Sequence, residues 1–138
     1  MSESSDSSLP SLFEALADPT RLRLINLLAQ GEICVCYFVA ILGEPQPKIS
    51  RHLAYLRRAG LAATRRDGKW IHYRLGQPEE EAAKQVLDSL VKVLRSEPGM
   101  QRDLASLESA CCAVKLPPEI ADAPRPVLSS RGNPGARD

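Results

Sequence analysis

The chain has 138 residues, 43% of them hydrophobic, which is enough for a single domain with one modest core. No apolar run approaches the ~18 residues of a membrane-spanning helix, and the N-terminus is acidic and serine-rich, unlike a secretory signal, so we expect a cytoplasmic protein with reduced thiols and no membrane partner. The net charge of +1 conceals an uneven distribution, because residues 45–74 contain eight lysines and arginines and one aspartate, a pattern typical of polyanion binding.

The first part of the chain has the pattern of short helices separated by turn signals. Asp18 and Pro19 predict the cap and the first position of a helix, where a missing N–H costs nothing. Gly31 and Gly43 predict helix ends. The predicted boundaries are 1–8 for a flexible N-terminus, 9–17 for the first helix, 19 to about 30 for the second and 34–42 for the third.

The basic segment predicts a fourth helix followed by a hairpin. Ile49, Leu53 and Leu56 recur at spacings of four and three and predict one buried stripe, which leaves most lysine and arginine side chains on the other face. The period then changes to that of strands. Two β-prone runs flank Asp67-Gly68, which is a strong hairpin signal.

The last part of the chain predicts two more helices and a tail. Residues 79–95 are amphipathic and predict a long helix. Its apolar stripe comprises Ala83, Val86, Leu87, Leu90 and Leu94. An extension over 96–115 contains a further predicted helix, 100–113, with the second cysteine pair. Residues 116–138 are proline-rich and nearly lack large apolar side chains, so we expect a disordered tail.

Short helices, a basic helix and a basic-tipped hairpin within residues 9–95 predict a winged helix-turn-helix, a mainly α fold with a β-hairpin wing. The fourth helix fits the major groove, where its N-terminal half would meet base edges. The candidate base contacts are Gln46, Lys48, Ser50, Arg51 and His52. The candidate phosphate or minor-groove contacts of the wing are Arg65, Arg66 and Lys69. His52 fits a partly buried helix histidine equally well, and an ordinary solvated face is the alternative for the whole basic surface.

The stretches "ADPTRLRLINLL", "GEICVCYFVAIL", "QPKISRHLAYLRRAGL" and "RRDGKWIHYRL" have an order and spacing that resembles the arsenic-responsive repressor family, ArsR/SmtB, over roughly residues 10–95. The resemblance implies a homodimeric repressor that binds an inverted-repeat operator and is released by a metal or metalloid. It also implies that the first helix and the 79–95 helix form the dimer interface. No catalytic arrangement is present in the sequence, and the Cys-x-x-Cys signature of thiol oxidoreductases is missing, so we do not expect an enzyme.

The resemblance also gives the cysteines a role. In similar arsenite-responsive members a Cys-Val-Cys pair begins the helix before the recognition helix, which matches Cys34 and Cys36, and a third cysteine usually follows where this chain has Val39. Trivalent arsenic prefers three thiolates, so we expect Cys111, Cys112 or both to complete the site, within a subunit or across the dimer. Alternatively, that second pair forms a separate site suited to a methylated trivalent arsenical. Core packing is the structural alternative for all four thiols.

Helix geometry predicts how such a site would act. Residues two apart lie about 200° apart around a regular helix, so we expect Cys34 and Cys36 to bind one ion only if the first turn of the third helix unwinds. That change would move the recognition helix. We also expect the helix N-terminus to lower the thiol pKa.

Other inducers stay open to different degrees. Zinc sensors of the family use aspartate and histidine on the dimerisation helix, which here has Asp88 but no histidine. Cadmium and lead sensors add cysteines from the N-terminal arm, and residues 1–33 contain none. A cadmium site made by all four cysteines, or a redox-responsive repressor whose thiols form disulfides, remains an alternative.

Overall fold

A computed structural model of the chain describes residues 9–112 and 123–128. These residues form six helices and four strands. The helices are α1 Leu9–Leu16, α2 Pro19–Leu28, α3 Val35–Leu42, α4 Gln46–Arg58, α5 Glu81–Arg95 and α6 Pro98–Cys112, and the strands are β1 Gly31–Cys34, β2 Ala62–Asp67, β3 Trp70–Leu75 and β4 Val127–Leu128. The predicted mainly α fold with a hairpin wing is confirmed. The N-terminal segment expected to be flexible, 1–8, lies outside the described residues.

Local signals set the ends of the early helices as predicted. The Asp18 side chain accepts a hydrogen bond from the backbone N–H of Arg21 at 3.0 Å, and Pro19 occupies the first position of α2. Gly43 ends α3 in the left-handed conformation, with φ of 68°. Both features depend on neighbouring residues alone, which is why the sequence contains them.

The segment before α3 is a strand, and the prediction of a helix from residue 34 is wrong. Ile33 and Cys34 of β1 pair with Tyr73 and His72 of β3, and α3 begins at Val35. β1 has only four residues, too few for a periodic pattern. Its hydrogen-bonding partners lie far along the chain, so tertiary pairing decides its conformation.

The sheet has the strand order β2-β3-β1-β4, and all its strand pairs are antiparallel. Asp67 pairs with Trp70, so the hairpin loop is Gly68-Lys69, one residue later than predicted. Gly68 has a φ of 63° and no non-glycine residue of the described chain has positive φ. A single glycine with positive φ at the first loop position fits a type II′ turn.

The wing is held closely against the end of α4. The N–H of Gly76, just after β3, donates to the carbonyl oxygen of Leu61 at 2.8 Å. A Cβ atom at Gly76 would collide with the carbonyl oxygen of Gly60. The backbone approach that joins the wing to the recognition helix therefore requires glycine at this position.

The C-terminal segment contributes the fourth strand. The expectation of a disordered tail over 116–138 is wrong for residues 123–128, because β4 pairs with the start of β1 and the side chain of Ala123 is buried. The low hydrophobicity of the region conceals this pairing, since backbone hydrogen bonds to an available strand edge need few apolar side chains. The remainder of that segment lies outside the described residues.

The core lies between the helices and the sheet. Ile49, Leu53 and Leu56 of α4 are fully buried, which confirms the predicted stripe. The buried residues of α5 are Ala83, Leu87, Val91 and Leu94. Phe13 on α1 and Val93 on α5 are 54% and 58% exposed. Apolar surface is thus left on both helices that the resemblance assigns to a dimer interface.

Polar contacts that the sequence did not predict anchor α6 on α2. The guanidinium of Arg23 makes two hydrogen bonds, of 2.8 and 2.9 Å, to the carboxylate of the buried Asp103. The buried Asn26 donates to the carbonyl oxygen of Met100 at 3.1 Å. Each buried polar group has a partner, which is what makes its burial tolerable.

Candidate thiol site and DNA-binding surface

Cys34 and Cys36 meet where β1 passes into α3. Cys34 ends β1 with an extended backbone (φ −71°, ψ 144°) and no exposed surface, whereas Cys36 is half-buried in the first turn of α3. The two thiols are hydrogen-bonded to each other. The prediction that α3 must unwind before both sulfurs reach one ion is therefore wrong, because the extended backbone at Cys34 already brings them together.

Burial is the main influence on the Cys34 thiol. It raises the pKa of Cys34 above its usual value, and Cys36 adds to the rise, while hydrogen bonds from backbone N–H groups act in the opposite direction. The expected lowering at a helix N-terminus does not dominate at Cys34. A bound soft cation reverses this preference, because the thiolate is the form that binds a metal.

A third ligand for this pair is not supplied by residues 9–112 and 123–128, where no group of three or more His, Cys, Asp or Glu side chains could hold a metal ion. Val39, one turn after Cys36, has no ligand atom. The side chains of Cys111 and Cys112 lie outside the described part of the structure, so their role as ligands stays a prediction. Their helix, α6, packs against α3.

The predicted base contacts differ in accessibility along α4. Gln46 and Arg51 are exposed, while Ser50 is half-buried. Lys48 forms an ion pair with Glu44, with 3.1 Å between Nζ and Oε1. Gln46 and Arg51 are therefore the side chains of this set best placed to reach a base edge.

His52 faces the protein. Its side chain is 18% exposed, and its Nδ1 lies 3.3 Å from Nη1 of Arg21 and 3.9 Å from Oδ2 of Asp18. Of the two interpretations of this residue, a partly buried helix histidine agrees with this position, whereas a base contact does not.

Arg21 joins three helices and was missed by sequence reasoning. Its Nε donates to the carbonyl oxygen of Ala15 at 2.6 Å and its Nη2 to that of Glu14 at 3.3 Å. The guanidinium also lies 4.1 Å from the ring centroid of Tyr55 on α4. A basic residue just after a helix cap, together with an aromatic on the basic helix, was the available signal.

The three basic side chains of the wing have different surroundings. Nε and Nη2 of Arg65 contact Oε1 of Glu32 on β1 at 2.9 and 2.8 Å, and this hydrogen bonding holds the pKa of Glu32 below its usual value. Arg66 is exposed and donates to a carbonyl oxygen of the turn at 3.2 Å. Lys69 is exposed and lies 5.0 Å from the ring centroid of Trp70. The wing surface thus offers Arg66 and Lys69 to a phosphate more readily than Arg65.

The chain matches known bacterial regulators in sequence. Residues 18–64 match the family described as bacterial regulatory protein, arsR family. Over 78 residues, the chain is 50% identical to the arsenical resistance operon repressor of Escherichia coli (strain K12), covering 56% of this chain and 67% of that protein. The chain belongs to the arsR family.

Other relatives are consistent with this arsR-family assignment. The chain is 49% identical over 84 residues to the arsenic resistance transcriptional regulator ArsR1 of Pseudomonas putida (strain KT2440), covering 60% of this chain and 62% of that protein. The match therefore spans less than two thirds of this second relative. Family and relatives are transcriptional regulators.

Solved structures of similar regulators share the fold of this arsR-family chain. The NMR structure of a homodimeric winged helix-turn-helix DNA-binding domain from Mycobacterium bovis matches 71% of this chain and 93% of that one, with a TM-score of 0.53 and 30% identity. The transcriptional repressor BigR from Xylella fastidiosa matches 62% and 81%, with a TM-score of 0.53 and 35% identity. The predicted winged helix-turn-helix is thereby confirmed. Among the described residues, no helix has both the length and the apolar character that crossing a membrane requires.

The surroundings of His52 predict how the stability of this arsR-family domain depends on pH. Burial lowers the pKa of His52 below its usual value; the nearby Asp18 opposes this, and Arg21, Lys48 and Arg51 add to it. Below a pH of about 6.5 the unfolded chain binds a proton that the folded chain resists. The free energy of unfolding is therefore expected to fall as the pH drops below that value.

Urea unfolding at pH 7.5 and pH 5.5 measures this dependence. His52→Gln keeps a polar side chain but cannot titrate, and it should show a smaller decrease between the two pH values than the wild type. Equal decreases in both proteins would assign the effect to other groups.

Proposed function

We propose that the chain is a DNA-binding transcriptional repressor that senses trivalent arsenic through cysteine thiolates and leaves its operator when arsenic binds. The observation that carries the proposal is the contact between the Cys34 and Cys36 thiols at the junction of β1 and α3. The names of the Escherichia coli and Pseudomonas putida relatives support arsenic as the inducer. The protein would act in the cytoplasm, where thiols stay reduced, and catalysis has no part in this role.

DNA binding would use a homodimer on an inverted repeat. In the winged-helix arrangement, a recognition helix enters the major groove and a dimer reads two half-sites. Gln46, Lys48, Ser50 and Arg51 of α4 are the proposed base contacts, and Arg66 and Lys69 are the proposed phosphate contacts of the wing. Exposed apolar side chains on α1 and α5, and the homodimeric relative, support dimerisation through those two helices.

The position of the thiols explains how arsenic would act on DNA binding. Cys34 lies on a strand that pairs with the wing strand β3, and Cys36 lies on α3, which packs against α4. An ion bound between them pulls on both DNA-contacting elements at once. Such coupling through a shared element typically changes affinity by about 5- to 150-fold.

The ligand set determines which inducer fits. Two thiols hold a methylated trivalent arsenical, whereas arsenite prefers a third thiolate, which we assign to Cys111 or Cys112. The structural support is that α6, which ends in this pair, packs on α3. Cadmium bound by all four thiols and a disulfide-forming redox response are the competing readings.

Fluorescence anisotropy of a labelled duplex from upstream of the gene, titrated with arsenite, tests the proposal. Arsenite should release the wild type, and the Cys111→Ser/Cys112→Ser variant should need on the order of tenfold more, because a third bond to an already bound ion is intramolecular. Release at the same arsenite concentration would exclude both proteins' use of the second pair. Release by cadmium or by hydrogen peroxide, but not by arsenite, would assign a different inducer.

A further inference from the structure

A row of three residues crosses the sheet from the thiol site to the wing. His72 of β3 is paired with Cys34 of β1 on one side and with Arg65 of β2 on the other. Residues directly opposite each other in an antiparallel sheet place their side chains on the same face, with Cβ atoms about 5 Å apart. The Cys34 side chain is therefore separated from a wing arginine by one intervening histidine.

The middle of this row is tightly enclosed. His72 is 5% exposed and Cys34 is fully buried. Nε2 of His72 lies 3.6 Å from Oδ2 of Asp67, two residues beyond Arg65 on the same strand face. In a close-packed region, a displacement of one side chain is passed to its neighbour instead of being absorbed by empty space.

The Arg65–Glu32 ion pair closes the row. Glu32 lies on β1 two residues before Cys34, so both side chains are on the same face of the strand. Since β3 lies between β1 and β2, the ion pair must pass over β3 to join the outer two strands. It fastens the wing to the strand that bears the buried thiol, with contacts of 2.8 and 2.9 Å.

We propose that Arg65 is a positioning residue, which transmits inducer binding from the thiol strand to the wing through its ion pair with Glu32. This inference rests on the proposed thiol-dependent release from DNA. In this role Arg65 does not contact a phosphate. Its Nε and Nη2 are engaged by Glu32, and the side chain extends across the sheet to β1.

Arg66 provides a matched control on the same strand. Adjacent strand residues project to opposite faces, so Arg66 lies on the other side of the wing from Arg65. It is exposed and its recorded hydrogen bond goes to the turn. A phosphate contact made by Arg66 should affect the strength and salt dependence of DNA binding, but not the response to arsenite.

The experiment compares Glu32→Gln, Arg65→Gln and Arg66→Gln with the wild type by anisotropy, with and without arsenite. Arg65 is half-exposed, and such pairs contribute modestly, so the release factor (the ratio of the two dissociation constants) should fall about two- to fivefold in Glu32→Gln and in Arg65→Gln. The double variant should fall no further, because both changes remove the same pair. Arg66→Gln should keep the wild-type factor and lower the slope of log affinity against log salt by about 0.9.

Two results would overturn the inference while the proposed function stands. One is a wild-type release factor in Glu32→Gln and Arg65→Gln. The other is a loss of salt slope in Arg65→Gln equal to that in Arg66→Gln, which would make Arg65 a phosphate contact. If arsenite fails to release even the wild type, the proposed function fails and the inference fails with it. Thermal unfolding of each variant checks that the domain remains folded.

Discussion

Replacing Cys36 by serine is expected to abolish the release of DNA by arsenite and to leave DNA binding without arsenite nearly unchanged. Cys36 is half-buried in the first turn of α3 and contacts the thiol of Cys34. A hydroxyl fits the same space, but a single remaining thiol at this junction cannot chelate the ion. The release factor should fall from the ~5–150-fold typical of allosteric coupling to about 1, measured by anisotropy at several arsenite concentrations.

Ala40→Ser is the matched control for this prediction. Ala40 lies on the same helix and is exposed, so the substitution adds a hydroxyl to α3 without touching the thiols. It should be released as the wild type is. Full release of the Cys36→Ser variant would show that the thiol pair at the sheet–helix junction is not the sensor.

Replacing Arg21 by methionine is expected to lower the free energy of unfolding by about 2–4 kcal/mol, because hydrogen bonds from a charged donor and a stacked aromatic contact are lost together. The carbonyl groups of Glu14 and Ala15 lose their donor, and Tyr55 and His52 of α4 lose a neighbour. Methionine preserves much of the side-chain volume. Urea unfolding at a fixed protein concentration measures the change.

Arg66→Met is the control for Arg21→Met, since an exposed wing arginine should change the stability by less than about 0.5 kcal/mol. The position of α4 gives a second readout. At protein concentrations where the Arg21→Met variant is folded, its affinity for the upstream duplex should fall more than its affinity for unrelated DNA. A stable variant with unchanged discrimination would show that Arg21 does not position the recognition helix.

The helices and the wing are predictable from the sequence because the interactions that define them are local. Asp18 and Pro19 start α2 through contacts within one turn. The buried stripe of Ile49, Leu53 and Leu56 follows from a repeat near 3.6 residues. The hairpin is predictable as well, although its loop lies one residue later, because the positive φ of Gly68 belongs to the first loop position.

The site is predictable only in part. The resemblance identifies Cys34 and Cys36 as candidate ligands, but the extended backbone of Cys34 comes from its pairing with β3. Likewise, Arg65 and His52 belong to a basic segment whose charge indicates DNA binding, yet both side chains are engaged by other parts of the chain. Composition shows that a charge is present and does not show what it contacts.

The sequence alone determines the order of elements, the basic surface and the presence of a thiol pair, because each depends on residue type and on spacing within one element. The tertiary structure decides how these parts are connected. The Glu32–Arg65 and Arg21–His52 contacts join residues 33 and 31 positions apart. Such contacts form only after the helices and sheet have packed, and the free energy that brings them together comes from apolar burial distributed over the whole core.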